Sequence, residues 1–150
     1  METRNQILRQ VKDHAIKVLT KELPDNMTYH SINHTLDVVN SVQEIADKLE
    51  LNEGDTEILT IAAWFHDIGY TKGCENHEKN GAKMAHDFLK KHDYPEERIE
   101  KVAGCIMATQ MPQNPQNPLE QIICDADLMH LADHNYFAKS DLLHQEIEKT

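Results

Sequence analysis

Thr56-Glu57-Ile58-Leu59-Thr60-Ile61-Ala62-Ala63-Trp64-Phe65-His66 is the stretch that decides the fold. It is apolar nearly all round, so as a helix it has no face to give to water and must be surrounded by other elements. Its neighbours have one-sided patterns that suit that task. Upstream, Thr3 to Glu22 repeats Ile7, Leu8, Val11, Ala15, Val18 and Leu19 at three- and four-residue steps, an amphipathic helix ended by Pro24-Asp25-Asn26. From about Ser31 to Glu50, Leu36, Val39, Val42, Ala46 and Leu49 share a side, and Asn52 and Gly54 mark the break.

Downstream, Gly69 to Cys74 reads as a loop and Asn76 as the cap of a helix running to about His92. Tyr94-Pro95-Glu96-Glu97 opens another, with proline and acids in its first turn and Ile99, Val102, Ala103, Ile106 and Met107 along it. Met111 to Pro118 holds three prolines and reads as a surface loop. Helix resumes from Leu119 to about Asp133, and Tyr136 to Lys149 forms a last, weakly apolar one. Strand alternation, internal repeats and linkers are lacking. The expectation is a single all-α domain over residues 1–150, a bundle of six to seven helices.

Composition narrows the function. The 150 residues carry 15 basic and 26 acidic side chains, a net charge of −11. Gripping a nucleic-acid backbone needs many uncompensated Lys and Arg, so no nucleic-acid partner is expected. Neither a membrane-length apolar run nor a signal-peptide core is found, and three cysteines (Cys74, Cys105, Cys124) lack a Cys-x-x-Cys pair. An odd cysteine count fits reduced thiols, and a cytoplasmic location is expected. The anomaly is ten histidines.

Three of them begin His-Asp doublets: His66-Asp67, His86-Asp87 and His92-Asp93. Chance alone supplies about one such doublet, so context has to separate them. His86-Asp87 sits among lysines and His92-Asp93 at a helix end, where both read as solvated pairs. His66-Asp67 closes the most apolar helix. A buried carboxylate needs a counter-charge, and either a divalent metal bound by both side chains or a mutually hydrogen-bonded pair supplies it. His30 and His34 lie four apart, on one face if their helix begins early enough, and read either as ligands or as capping and surface residues. Asp125 and Asp127 follow the apolar run Ile122-Ile123-Cys124; they point about 200° apart on a helix, so only one can face a shared pocket.

In order, Tyr29-His30-x-x-x-His34-Thr-Leu-x-Val38, Ala62-Ala63-Trp64-Phe65-His66-Asp67-Ile68-Gly69, His77-Glu78-x-x-Gly81-Ala82 and Cys124-Asp125-Ala126-Asp127-Leu128 resemble successive blocks of the HD-domain metal-dependent phosphohydrolase superfamily, with its H…HD…D signature. The resemblance runs from about Tyr29 to Leu131. It implies a helical bundle of the HD-domain type that gathers His34, His66, Asp67 and Asp127 around one divalent ion (Mn, Fe, Co, Ni, Zn or Mg), with Asp125 in reserve. It implies hydrolysis of a nucleotide or other small phosphate ester by a metal-activated water. Asp67 would also orient that water or take its proton. His30, His77 and Lys72 are the groups expected at the phosphate, His77 alternatively behind the ligands.

Two departures from the family pattern shape the expectation. Relatives with two or three metals use further histidines, whereas Ile106-Met107-Ala108-Thr109-Gln110-Met111 offers none, so one ion is expected. Relatives also continue with more helices, so a shortened pocket wall is expected near Thr150. A sensor or interaction module that keeps the fold without hydrolysis is the competing expectation. The partner is a small phosphorylated metabolite or nucleotide, and a homodimer is compatible. A zinc-protease reading fails because Gly81 stands where H-E-x-x-H requires its second histidine. Cys105, Cys124, Trp64 and Phe65 read as core.

Overall fold

A computed structural model describes residues 2–22, 32–68, 76–110 and 115–129. These form six helices: α1 (Glu2–Glu22), α2 (Ile32–Lys48), α3 (Glu53–Phe65), α4 (His77–Lys91), α5 (Glu96–Ala108) and α6 (Pro118–Met129). Among the described residues the fold is an all-α bundle, as expected. The expected helix from Tyr136 to Lys149 lies outside the described residues. Among the described residues no helix is long and apolar enough to cross a membrane.

The apolar character of α3 has the predicted consequence. All residues from Glu57 to Phe65 are buried, and α3 packs against each of the other five helices. Ile7, Val11, Ala15, Val18 and Leu19 of α1 are buried at the spacing read from the sequence. The stripe on α2 is different. Val38, Val39, Val42 and Ala46 are buried with Thr35, whereas Leu36 is half-buried and Leu49 is 58 % exposed. Leu49 lies past the end of α2, so the helical phase no longer applies to it. Met107, expected on the buried side of α5, is likewise exposed because Val102, Cys105 and Ile106 set that face.

Side-chain caps account for the helix starts that differ from expectation. Asn52 accepts the Asp55 N–H at 2.7 Å, and its amide reaches the Asp55 carboxylate at 3.2 Å. This cap carries α3 through Gly54, so Gly54 lies inside the first turn and does not break the chain there. Asn117 and Glu120 cap α6 in the same reciprocal way, with Pro118 at the first helical position, inside the helix although read as loop. Asn76 does not cap α4 through its side chain; it adopts a left-handed conformation (φ 58°). Pro95 precedes α5 and its carbonyl accepts from Arg98 and Ile99.

Two helix ends share a motif. Glu50 N–H bonds to the Asp47 carbonyl and Leu51 N–H to that of Ala46, with Glu50 left-handed at φ 54°. Asp93 repeats this at φ 59°, with Asp93 N–H to Lys90 and Tyr94 N–H to Leu89. These are Schellman caps, in which glycine is the usual occupant of the left-handed position.

Candidate metal centre

The centre is built at the C-terminal end of α3. The helix stops at Phe65, leaving carbonyls without helical donors, and His66 Nδ1 donates to one of them, Ala63 O, at 2.7 Å. That bond fixes the ring: in its neutral form the lone pair sits on Nε2. His66 is 1 % exposed, and its Nε2 has no hydrogen-bond partner in bonding geometry among the described residues. It nonetheless lies 3.1 Å from Asp67 Oδ2 and 3.6 Å from Asp127 Oδ1.

The first turn of α2 brings in His34, whose Nε2 donates to Asp127 Oδ1 at 3.1 Å and stands 3.5 Å from Asp67 Oδ2. From the far end of the sequence, α6 supplies Asp127. Ile122, Ile123 and Ala126 bury one side of α6, and that phase puts Asp127 into the site. Asp125 is exposed and accepts from Gln121 Nε2 at 2.8 Å. One ligand-capable atom from each of His34, His66 and Asp127 lies within 4.8 Å of the others. Asp67 stands beside this trio, its Oδ2 facing both imidazoles.

These separations suit a shared cation. Ligand atoms about 2.1 Å from one ion stand about 3.0 Å apart at right angles and about 3.4 Å at tetrahedral angles. Two imidazole nitrogens with carboxylate oxygens form the mixed donor set of first-row divalent metals. The buried, unsatisfied Nε2 of His66 is the atom such an ion would satisfy. In the ion's absence a proton takes that role. Burial alone favours neutral His66, but the charge of Asp67 together with Asp127 outweighs it and holds the imidazole well above its ordinary value. For Asp127, burial opposes ionisation, yet the bond from His34 and the neighbouring His66 imidazole prevail and hold its carboxyl far below the usual range.

His77, at the start of α4, reaches the centre from the side. Its Nε2 lies 3.7 Å from Asp67 Oδ1 and donates to buried Glu78 Oε2 at 2.6 Å. Asp67 therefore shows one oxygen to His34 and His66 and the other to His77. His30 and Lys72 lie outside the described residues. The remaining His-Asp doublets are peripheral: His86 and Asp87 are an exposed pair at 3.4 Å, and His92 ends α4, its ring tilted against that of Phe88. Trp64, Phe65, Cys105 and Cys124 are buried core.

Two buried acids escaped the reading of the sequence. Glu78 follows a motif histidine as part of the same block, with no role assigned to it; it is buried against His77. Glu57 is embedded in the central helix and accepts from Tyr94 Oη at 2.6 Å and Arg98 Nη1 at 3.4 Å. Its signal was a lone charge beside Ile58 and Leu59.

Comparison with known proteins agrees with this architecture. The HD domain family model matches residues 31–132. No curated relative matches the chain. Among solved structures, a predicted HD superfamily hydrolase from an uncultured Thermotogales bacterium superposes with a TM-score of 0.73 at 22 % identity, covering 89 % of this chain and 73 % of that one.

Proposed function

The chain belongs to the HD domain family, and on that premise we propose that it is a metal-dependent phosphohydrolase acting on a nucleotide or other small phosphate ester. The observation that carries this reading is the convergence of His34, His66 and Asp127 from three helices on one buried point, with Asp67 beside it. Burying two carboxylates against two imidazoles is costly unless they hold something.

His34, His66, Asp67 and Asp127 would hold the ion, with Mn²⁺, Fe²⁺, Co²⁺, Ni²⁺ and Zn²⁺ favoured over Mg²⁺ by the two imidazoles. A divalent cation bound there lowers the pKa of a water and offsets charge developing on phosphoryl oxygens. Asp67 has the geometry for two tasks, because Oδ2 faces the ligand histidines while Oδ1 is left toward His77. Through Oδ1 it orients the attacking water and accepts its proton. His77, its Nε2 paired with Glu78 and 3.7 Å from Asp67 Oδ1, stands beside that oxygen and is assigned to the phosphate side of the site. His30 is the further phosphate contact. Burial of the whole cluster excludes bulk water and strengthens each of these interactions.

Turnover of a nucleotide and phosphoester panel with added metals tests the reading, run beside a His66→Ala/Asp67→Ala variant. A metal-dependent rate that the variant lacks supports it. Equal rates in the two proteins remove this centre from the chemistry, and ligand-induced stabilisation without turnover favours a binding module.

A further inference from the structure

Nine residues before His66, Glu57 lies in the N-terminal half of α3, about 13 Å away along the axis at 1.5 Å per residue. A second concavity of ≈ 510 Å³ opens there, bounded by α1, the start of α3 and the α4–α5 turn. That volume lies in the range of small-molecule sites, about 300–1,000 Å³.

The floor is chemically specific. Glu57 is 3 % exposed, and its Oε1 accepts from the Tyr94 hydroxyl at 2.6 Å. Burial, followed by the Glu57 carboxylate, pushes the Tyr94 phenol well above its ordinary value, so it remains a donor to that acid. Arg98 meets Glu57 through Nη1 at a long 3.4 Å, its one ion pair among the described residues, and its side chain is 42 % exposed. A guanidinium has five N–H donors, so most are left for a ligand. Lys91 lines the same cavity and makes no ion pair among the described residues. Gln6 and Gln10 of α1 add neutral amides. The lining also holds the exposed Asp93 carboxylate, but on a chain of net charge −11 a concavity that sets an ammonium and a guanidinium with donors to spare beside one free acid is out of character. An anion there gains charge-assisted hydrogen bonds from both. A cation would find Asp93 alone, with Lys91 and Arg98 opposing it, because Glu57 Oε1 is already engaged by Tyr94 and Arg98.

We propose that this cavity binds a small organic anion, a phosphate- or carboxylate-bearing molecule of about mononucleotide size, gripped by Arg98 and Lys91 at the end of α3 remote from the metal centre. The inference stands independently of the hydrolase reading.

Calorimetric titration of the full chain, with chelator present so that no ester is consumed, tests it using AMP, citrate and adenosine. AMP or citrate binds saturably, the tighter of the two assigning the phosphate or carboxylate class, and adenosine binds at least tenfold more weakly. Arg98→Gln weakens the anion at least tenfold. Because Arg98 also touches buried Glu57, exposed Lys91→Gln carries the test if that variant does not fold, with an expected loss of about threefold or more. A His34→Ala/His66→Ala variant binds within about twofold of the parent, the remote ends of α3 being independent. The proposal is overturned if neither anion saturates by about 5 mM, if adenosine matches AMP, or if binding survives Lys91→Gln unchanged.

Discussion

His34 and Asp127, 93 positions apart, meet through Nε2 and Oδ1 at 3.1 Å. The contact joins the first turn of α2 to α6 and brings both against the end of α3, where His66 and Asp67 complete the cluster. Each residue is placed by the apolar phase of its own helix, so the centre follows from how the bundle packs.

The protonation of this cluster sets the pH response of the metal-free protein. The raised pKa of His66 contributes stability that is complete below about pH 6.5 and lost as pH rises through its folded value. The lowered pKa of Asp127 contributes stability present above about pH 3.9 and lost as pH falls toward its folded value. Thermal unfolding of metal-free protein should therefore give its highest midpoint between about pH 4 and 6.5. Saturating Zn²⁺ or Mn²⁺ shifts that optimum upward, because the ion displaces the His66 proton. A metal-free midpoint that climbs from pH 6 to 9 would count against the charge assignment.

Tyr94→Phe removes a hydrogen bond to the buried Glu57 carboxylate. The expected loss is about 1.5–3 kcal/mol, the worth of a hydrogen bond to a charged group, with helicity unchanged. Urea denaturation followed by circular dichroism measures it, and an unaltered midpoint would show that the bond contributes nothing net.

Burial pushes the Cys105 thiol up to about 12 and the Cys124 thiol up to about 11. Neither is an activated nucleophile. Both should resist iodoacetamide at pH 8 in the folded protein and react once it is unfolded, as read by mass spectrometry of labelled peptides. Raised thiol values also mean that their contribution to stability, intact below about pH 8.5, is lost as pH climbs toward 11–12.

Glu50 and Asp93 hold left-handed positions at two Schellman caps. A side chain there costs about 1–2 kcal/mol relative to glycine. Part of that is offset by glycine's greater freedom in the unfolded chain. Glu50→Gly and Asp93→Gly should each raise stability by about 0.5–1 kcal/mol, additively because they cap different helices. A drop in the chemical midpoint for either would refute the account of that cap.

What the sequence made legible follows from locality. The all-round apolarity from Ile58 to Phe65 announces a central helix because no exposed face is available. His66 and Asp67 stand out because a charge following such a run demands compensation. Asp127 was preferred to Asp125 only through the family resemblance; packing separates them, since the buried positions Ile123 and Ala126 set the phase of α6. Glu57 was not legible: its partners are 37 and 41 positions away, and only packing reveals that they share a pocket with it. Leu49 misled because a periodic pattern gives no sign of where its helix ends. The first turn of α3 was missed because Gly54 reads as a breaker, while the Asn52–Asp55 cap offsets its low helix propensity.

The central claim, that these helices meet to hold a divalent cation, is tested most directly by metal stoichiometry and affinity. Mn²⁺ binding, measured by calorimetry and elemental analysis on the parent chain and on His34→Ala, His66→Ala and Asp127→Asn, decides it. One ion per chain should bind to the parent, with each substitution weakening it at least tenfold while circular dichroism stays helical. Equal uptake by the parent and all three variants would contradict the claim.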